Sequence, residues 1–239
     1  MENSPISLSH VLEDQPKFHR LVDIHPKLND ELTSWAARIS TLESMQALLQ
    51  PHMRTLETGC GHSTVMFALS GVEHYCITVA AAETERVLAF CSERGIDTSR
   101  IRFLIGDSVR ILPKLDESVR LDLVFIDGGH FFPIPCFDWY YAHLHLREGG
   151  ILVIDDIRIP TVAILYKFLV TDANWERISL IDDTAFFRKV HHRYNLHDWI
   201  EQDFNRSYPD WSFLERPDRL RRVRSRIAGG LRRLLGRFR

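Results

Sequence analysis

The sequence has 239 residues, 45% of them hydrophobic and 10% aromatic, and its 30 lysines and arginines nearly balance 32 aspartates and glutamates at a formal charge of −2. This composition excludes a disordered, collagen-like or membrane-spanning chain, and the length accommodates one large domain or two small ones. Cys60, Cys76, Cys91 and Cys136 form no CxxC pair, and the N-terminal MENSPISLSH lacks the pattern of a secretory signal, so the expectation is free thiols in a reducing cytoplasm.

Residues 1–50 read as a polar lead-in followed by a helix, because Leu32, Trp35, Ile39, Leu42 and Met45 recur at spacings of three and four before Pro51. Short apolar runs then alternate with helical stretches. The predicted strands are Arg54 to Thr58, His74 to Ala80, Ile101 to Ile105, Leu121 to Ile126 and Ile151 to Ile154. Helical patterns follow at Ser63 to Leu69, Glu83 to Arg94, Pro135 to Leu146 and Val162 to Val170, and Trp175 to Ile181 with Ala185 to Val190 reads as a closing hairpin. Strands alternating with crossover helices predict an α/β fold: a Rossmann-like, doubly wound sheet, mostly parallel, with a C-terminal antiparallel hairpin and helices on both faces. The domain reading is a helical lead-in over 1–50, the α/β domain over 51–192, an extension over 193–218 and a basic tail over 219–239.

The tail accounts for the near-neutral total. From Arg219 to Arg239 there are nine arginines and no acidic residue, which leaves 21 basic against 32 acidic residues, or −11, on the remainder. As a helix the tail places Leu220, Val223, Ile227, Leu231, Leu234, Leu235 and Phe238 on one side, a pattern suited to an anionic membrane surface. Gly229 and Gly230 weaken that helix. Nucleic acid is disfavoured because Phe238 is the tail's only aromatic side chain. A solubilising tail folded on the acidic body or on another subunit is the plainer alternative. Location is expected to be cytoplasmic, with the inner membrane face as the peripheral option.

In an open parallel sheet, ligands bind beyond the carboxyl ends of the strands, near the point where strand order reverses. The first strand runs into Glu57-Thr-Gly-Cys-Gly-His-Ser-Thr64. Its glycines allow a tight turn and close backbone approach, and a helix N-terminus follows. A carboxylate at Glu57 suits a ligand bearing an ammonium or sulfonium better than a pyrophosphate, and the spacing departs from GxGxxG because Thr64 stands at the third place beyond Gly61. Both points disfavour a nicotinamide cofactor. A plain turn explains a bare GxG equally well. The third strand ends at Gly106-Asp107-Ser108, where Asp107 can accept from an exocyclic amine and Ser108 can cap a helix. Asp127 and His130 follow the fourth strand, and Asp155 and Asp156 the fifth. Three converging carboxylates call for a divalent cation such as Mg²⁺, whereas helix capping would explain only one of them. Phe131, Phe132, Trp139, Tyr140 and Tyr141 divide between pocket wall and core, Asp138 either orients a partner or is an exposed helix residue, and His143, His145, His191 and His192 read as surface residues.

ETGCGHST, then GDS, then FIDGGHFFPIPCFDWYY, then LREGGILVIDDI together resemble the class I S-adenosylmethionine-dependent methyltransferases. Within that class they resemble the small-molecule O-methyltransferase-like group related to macrocin-type sugar methyltransferases. The resemblance covers Arg54 to Val190. It implies that Glu57, Gly59, Gly61 and Ser63 belong to the cofactor loop, with Glu57, Gly59 and Gly61 lining the methionine part, and that Asp107 and Ser108 sit at the adenine. It further implies that Asp127, Asp155 and Asp156 hold a Mg²⁺-like ion binding the acceptor hydroxyl, with His130 as general base or acceptor-orienting group. The acidic residue that many such enzymes carry at the end of the second strand is displaced: Val79-Ala80-Ala81-Ala82 intervenes before Glu83, the candidate that reaches back to the ribose. The reaction implied is in-line methyl transfer from a sulfonium to the oxygen of a small-molecule acceptor. The competing reading is a non-catalytic Rossmann-like binding protein tethered to a membrane or partner by its tail. A homo-oligomer is compatible with either.

Overall fold

The almost unbroken apolar run Leu121–Ile126 becomes a central strand because both faces of the sheet are covered. Leu123 and Phe125 enter the core on one face, while Val124 and Ile126 enter the core on the other. The computed structural model describes residues 7–20, 23, 31–191 and 202–207. The chain divides into two units, residues 1–196 and 197–239. Of the second unit the described element is a short helix, Asp203–Ser207. The basic tail 219–239 lies outside the described residues, as does most of the extension 193–218. No helix among the described residues is long and apolar enough to cross a membrane.

In chain order the first unit contains α1 (Leu8–Val11), β1 (His19–Arg20), β2 (Leu32–Thr33), α2 (Ile39–Gln46), β3 (Arg54–Thr58), α3 (His62–Leu69), β4 (Glu73–Thr78), α4 (Ala81–Glu93) and β5 (Ile101–Ile105). It continues through α5 (Ser108–Ile111), β6 (Leu121–Ile126), α6 (Ile134–His145), β7 (Leu146–Ile154), α7 (Pro160–Thr171), β8 (Trp175–Ile181) and β9 (Thr184–Lys189). Seven strands form one sheet in the order β5-β4-β3-β6-β7-β9-β8. All neighbours are parallel except those of β9, which runs antiparallel to both β7 and β8. The expected mostly parallel sheet with a closing hairpin is therefore present. Strand order reverses between β3 and β6.

The N-terminal expectation needs correction. Leu32, Trp35, Ile39, Leu42 and Met45 do not share one helix: α2 starts only at Ile39, after an extended Arg38. Upstream, Leu32 and Thr33 pair antiparallel with Arg20 and His19 as a two-stranded flap. Of the supposed stripe only Leu42 and Met45 are fully buried, whereas Trp35 is 49% exposed. The spacing of the first two residues thus carried no burial with it. His143 and His145, expected at the surface, are buried. Helix α6 lies against the sheet, and His143 stacks on Trp139 at 4.8 Å while its Nδ1 meets the Trp139 carbonyl oxygen at 3.1 Å. His191 is exposed, and His192 lies outside the described residues.

Candidate functional site at the strand ends

Backbone pairing continues one residue beyond each central strand. The Gly59 amide donates to the Ile77 carbonyl at 2.9 Å, Asp127 to Thr58 at 3.1 Å, Asp155 to Ile126 at 3.1 Å and Gly106 to Thr78 at 2.8 Å. This ladder sets the residues after β3, β5, β6 and β7 in a row along one edge of the sheet, at the crevice where strand order reverses. Gly59 has φ +103°, and a Cβ there would lie 2.6 Å from the Asp127 carbonyl oxygen. The loop after β3 therefore packs backbone to backbone on the start of the acidic loop, an approach only glycine permits.

Glu57 lies beneath this loop and is fully buried. Its carboxylate accepts from Ser63 Oγ at 2.5 Å and from Thr64 Oγ1, and His74 Nε2 is 3.1 Å away. The Gly61 amide donates to Thr64 Oγ1 at 3.0 Å, which completes a fixed turn into α3. Glu57 and Ser63 thus shape the loop from behind; Gly59 is partly exposed, whereas Gly61 is buried under His19. His74 is held in turn by Thr55 Oγ1 at 2.7 Å and stacks on Phe67 at 4.0 Å. Glu83, in the first turn of α4, reaches back to the end of β4, where it accepts from Thr78 Oγ1 at 2.7 Å.

After β5 the helix cap is Asp107, whose Oδ1 accepts from the Val109 amide at 3.1 Å. Ser108, expected to cap, is instead the first residue of α5. The acidic cluster is also sorted by the structure. Asp155 is buried and accepts a hydrogen bond from Thr184 Oγ1 on β9. Asp156, with a left-handed backbone at φ +55°, is the less buried of the two. His130 stands between the remaining two carboxylates, with Nε2 3.6 Å from Asp127 Oδ1 and Nδ1 3.6 Å from Asp156 Oδ2. Asp127, His130 and Asp156 each offer one ligand atom, all within 4.8 Å of one another. Burial, reinforced by the charges of Asp155 and Asp156 and opposed by His130, pushes Asp127 up to about 7. Burial lowers the His130 pKa, but Asp127 first and then Asp156 and Asp155 outweigh it, and the net shift is upward. A cluster so short of positive charge fits a divalent cation: the two carboxylate oxygens suit a hard ion such as Mg²⁺, whereas adding the imidazole nitrogen as a ligand would favour a softer one.

Of the two readings of Asp138, an exposed helix position is excluded by its burial. It is 1% exposed, and neither carboxylate oxygen makes a well-formed hydrogen bond. Burial pushes its pKa up to about 6, eased by the nearby Ser108 and Thr58 hydroxyls. Its folded-state pKa is raised from 3.8, so the ionised form destabilises the fold: the penalty is absent below about pH 4 and complete above about pH 6. Asp138→Asn is therefore expected to raise stability at pH 8 by up to ~3 kcal/mol and to change it little at pH 4, as read by denaturant titration at the two pH values. The aromatic residues divide between core and surface. Trp139 is buried in the core, whereas Phe131 and Phe132, beside His130, are 68% and 62% exposed.

Residues 56–157 match the family model of a methyltransferase domain. Among curated proteins, none matches this sequence. A crystal structure of a putative O-methyltransferase from Klebsiella pneumoniae superposes with a TM-score of 0.60 at 17% identity, over 80% of this chain and 93% of that one. An O-methyltransferase from Streptomyces achromogenes involved in tomaymycin synthesis, in complex with S-adenosylmethionine, gives 0.59 at 18% identity over 80% and 92%. One from Bacillus cereus in complex with S-adenosylhomocysteine gives 0.59 at 15% identity over 80% and 93%. What this chain shares with them is the methyltransferase Rossmann-like fold.

Proposed function

We propose that this chain, which carries a class I methyltransferase-type domain, transfers a methyl group from S-adenosylmethionine to the hydroxyl oxygen of a small molecule, assisted by a divalent cation. The observation that carries the reading is the backbone contact between Gly59 and Asp127. It joins a glycine loop able to admit a ligand backbone-close to the acidic cluster of Asp127, His130 and Asp156. Structural neighbours solved with S-adenosylmethionine or S-adenosylhomocysteine support the choice of cofactor.

In this reading Gly59 and Gly61 line the sulfonium-bearing part of the cofactor, Glu83 takes the ribose hydroxyls, and Asp107 with Ser108 lies at the adenine. Asp127 and Asp156 would hold the ion, with His130 beside it; Asp155 supports the strand end through Thr184. A bound divalent cation favours the deprotonated form of an acceptor hydroxyl. His130, flanked by two carboxylates that favour its charged form, accepts the acceptor's proton. Exposed Phe131 and Phe132 offer an apolar wall at the mouth. The test is release of S-adenosylhomocysteine, followed by mass spectrometry, across a panel of hydroxyl-bearing small molecules. Release that requires both an acceptor and Mg²⁺ is expected, and release unaffected by a chelator would remove the ion from the reading.

A further inference from the structure

The N-terminal flap reaches the same crevice through one side chain. His19, on β1, sets its Nδ1 2.9 Å from Glu83 Oε1, across 64 residues of sequence. Because an ionised carboxylate only accepts, that nitrogen carries the hydrogen. Glu83 Oε2 takes the Thr78 hydroxyl, so both oxygens are anchored and the carboxylate is fixed at the end of β4. The other edge of the ring is the informative one. His19 is 8% exposed, and its Nε2 makes no hydrogen bond. That nitrogen lies 3.1 Å from where a Cβ on Gly61 would stand. His62 Nδ1, at the first residue of α3, is likewise buried without a partner. Leaving a buried polar atom unpaired costs stability, so such an edge beside a glycine loop marks a place for a ligand group.

The flap is fastened where it lies. Arg86 of α4 donates to the Phe18 carbonyl at 2.5 Å and to Asp23 Oδ2 at 2.6 Å. Trp35 covers the outer face of the His19 ring at 5.6 Å. The lead-in is therefore tied to α4 on either side of His19.

We infer that the flap is part of the cofactor site: His19 fixes Glu83 for the ribose and turns its Nε2 edge toward the amino-acid end of the cofactor, held against Gly61. The inference rests on the S-adenosylmethionine reading above. The amino-acid end carries an ammonium donor and a carboxylate acceptor, so it can satisfy Nε2 in either protonation state of the ring. His19 is thus a binding residue through Nε2 and a positioning residue through Nδ1.

Calorimetry on the full chain separates these roles with two ligands. S-adenosylhomocysteine carries the amino-acid end, and 5′-methylthioadenosine keeps the adenosine and thioether without it. His19→Asn retains an amide nitrogen near the Nδ1 position and deletes the Nε2 edge. It is expected to bind S-adenosylhomocysteine about tenfold more weakly and methylthioadenosine within about twofold of the unaltered chain. His19→Ala, which also releases Glu83, is expected to weaken both ligands. Equal S-adenosylhomocysteine affinity in the unaltered chain and His19→Asn overturns the amino-acid contact, and unchanged affinity of His19→Ala for both ligands overturns the flap's role. If His19→Ala fails to fold, the Asn variant still decides. An unaltered chain that binds neither ligand refutes the cofactor reading itself.

Discussion

Asp127→Asn and Asp156→Asn are each expected to lower methyl transfer by about a hundredfold or more while leaving S-adenosylhomocysteine affinity within about threefold. The separation follows from geometry. The two side chains meet at His130, which the proposal puts on the acceptor side, whereas the loop after β3 approaches Asp127 at its backbone carbonyl. A carboxamide keeps the size and hydrogen-bonding shape of the side chain and removes the charge, so a structural role alone would be largely spared. Mn²⁺ binding followed by electron paramagnetic resonance is expected to fail in the same two variants. Asp155→Asn perturbs a different contact, the Thr184 hydroxyl on β9, and is expected to cost stability before it costs metal affinity. Full activity of both the Asp127 and Asp156 variants would take the ion out of the mechanism.

Gly59→Ala is expected to abolish cofactor binding and to destabilise the fold by on the order of 2 kcal/mol. Two effects add. The residue sits at φ +103°, which an L side chain rarely adopts, and its new methyl group would stand 2.6 Å from the backbone oxygen of Asp127, a residue whose amide is held in the sheet ladder. Neither side can yield cheaply: moving Asp127 shifts the end of β6, and moving Gly59 opens the loop braced by Glu57, Ser63 and Thr64. Gly61→Ala provides the contrast. Its backbone is extended and its methyl would press on His19 Nε2, a side-chain atom, at 3.1 Å. It is expected to fold and to bind cofactor more weakly. Thermal denaturation with calorimetry distinguishes the two variants.

The sheet could be read from the sequence because its strands are short, apolar and separated by turn residues, and because ligand sites gather where such strands end. That logic brought Gly59, Asp107, Asp127 and Asp156 to one edge from sequence alone. It had no means of separating Asp155 from Asp156. Asp155 is bound by the Thr184 hydroxyl, 29 residues later, while the left-handed Asp156 lies beside His130, and neither partner is adjacent in sequence. Glu57 was placed in the loop because it precedes the glycines. Its burial beneath them depends on hydroxyls at Ser63 and Thr64 and on His74 from the neighbouring strand. His19 was beyond reach, since a two-residue strand has no periodicity and its partner Glu83 stands 64 positions away. Glu83, read from the sequence as the residue that reaches back to the second strand end, does bond Thr78 there, but its brace from the flap is encoded by no spacing rule.

The most direct measurement of the central claim is isothermal calorimetry of S-adenosylhomocysteine with the full-length chain in the presence of Mg²⁺. The account predicts saturable binding at one site per chain, lost in Gly59→Ala and retained in Asp156→Asn. An absence of detectable heat at millimolar ligand with folded protein would contradict it.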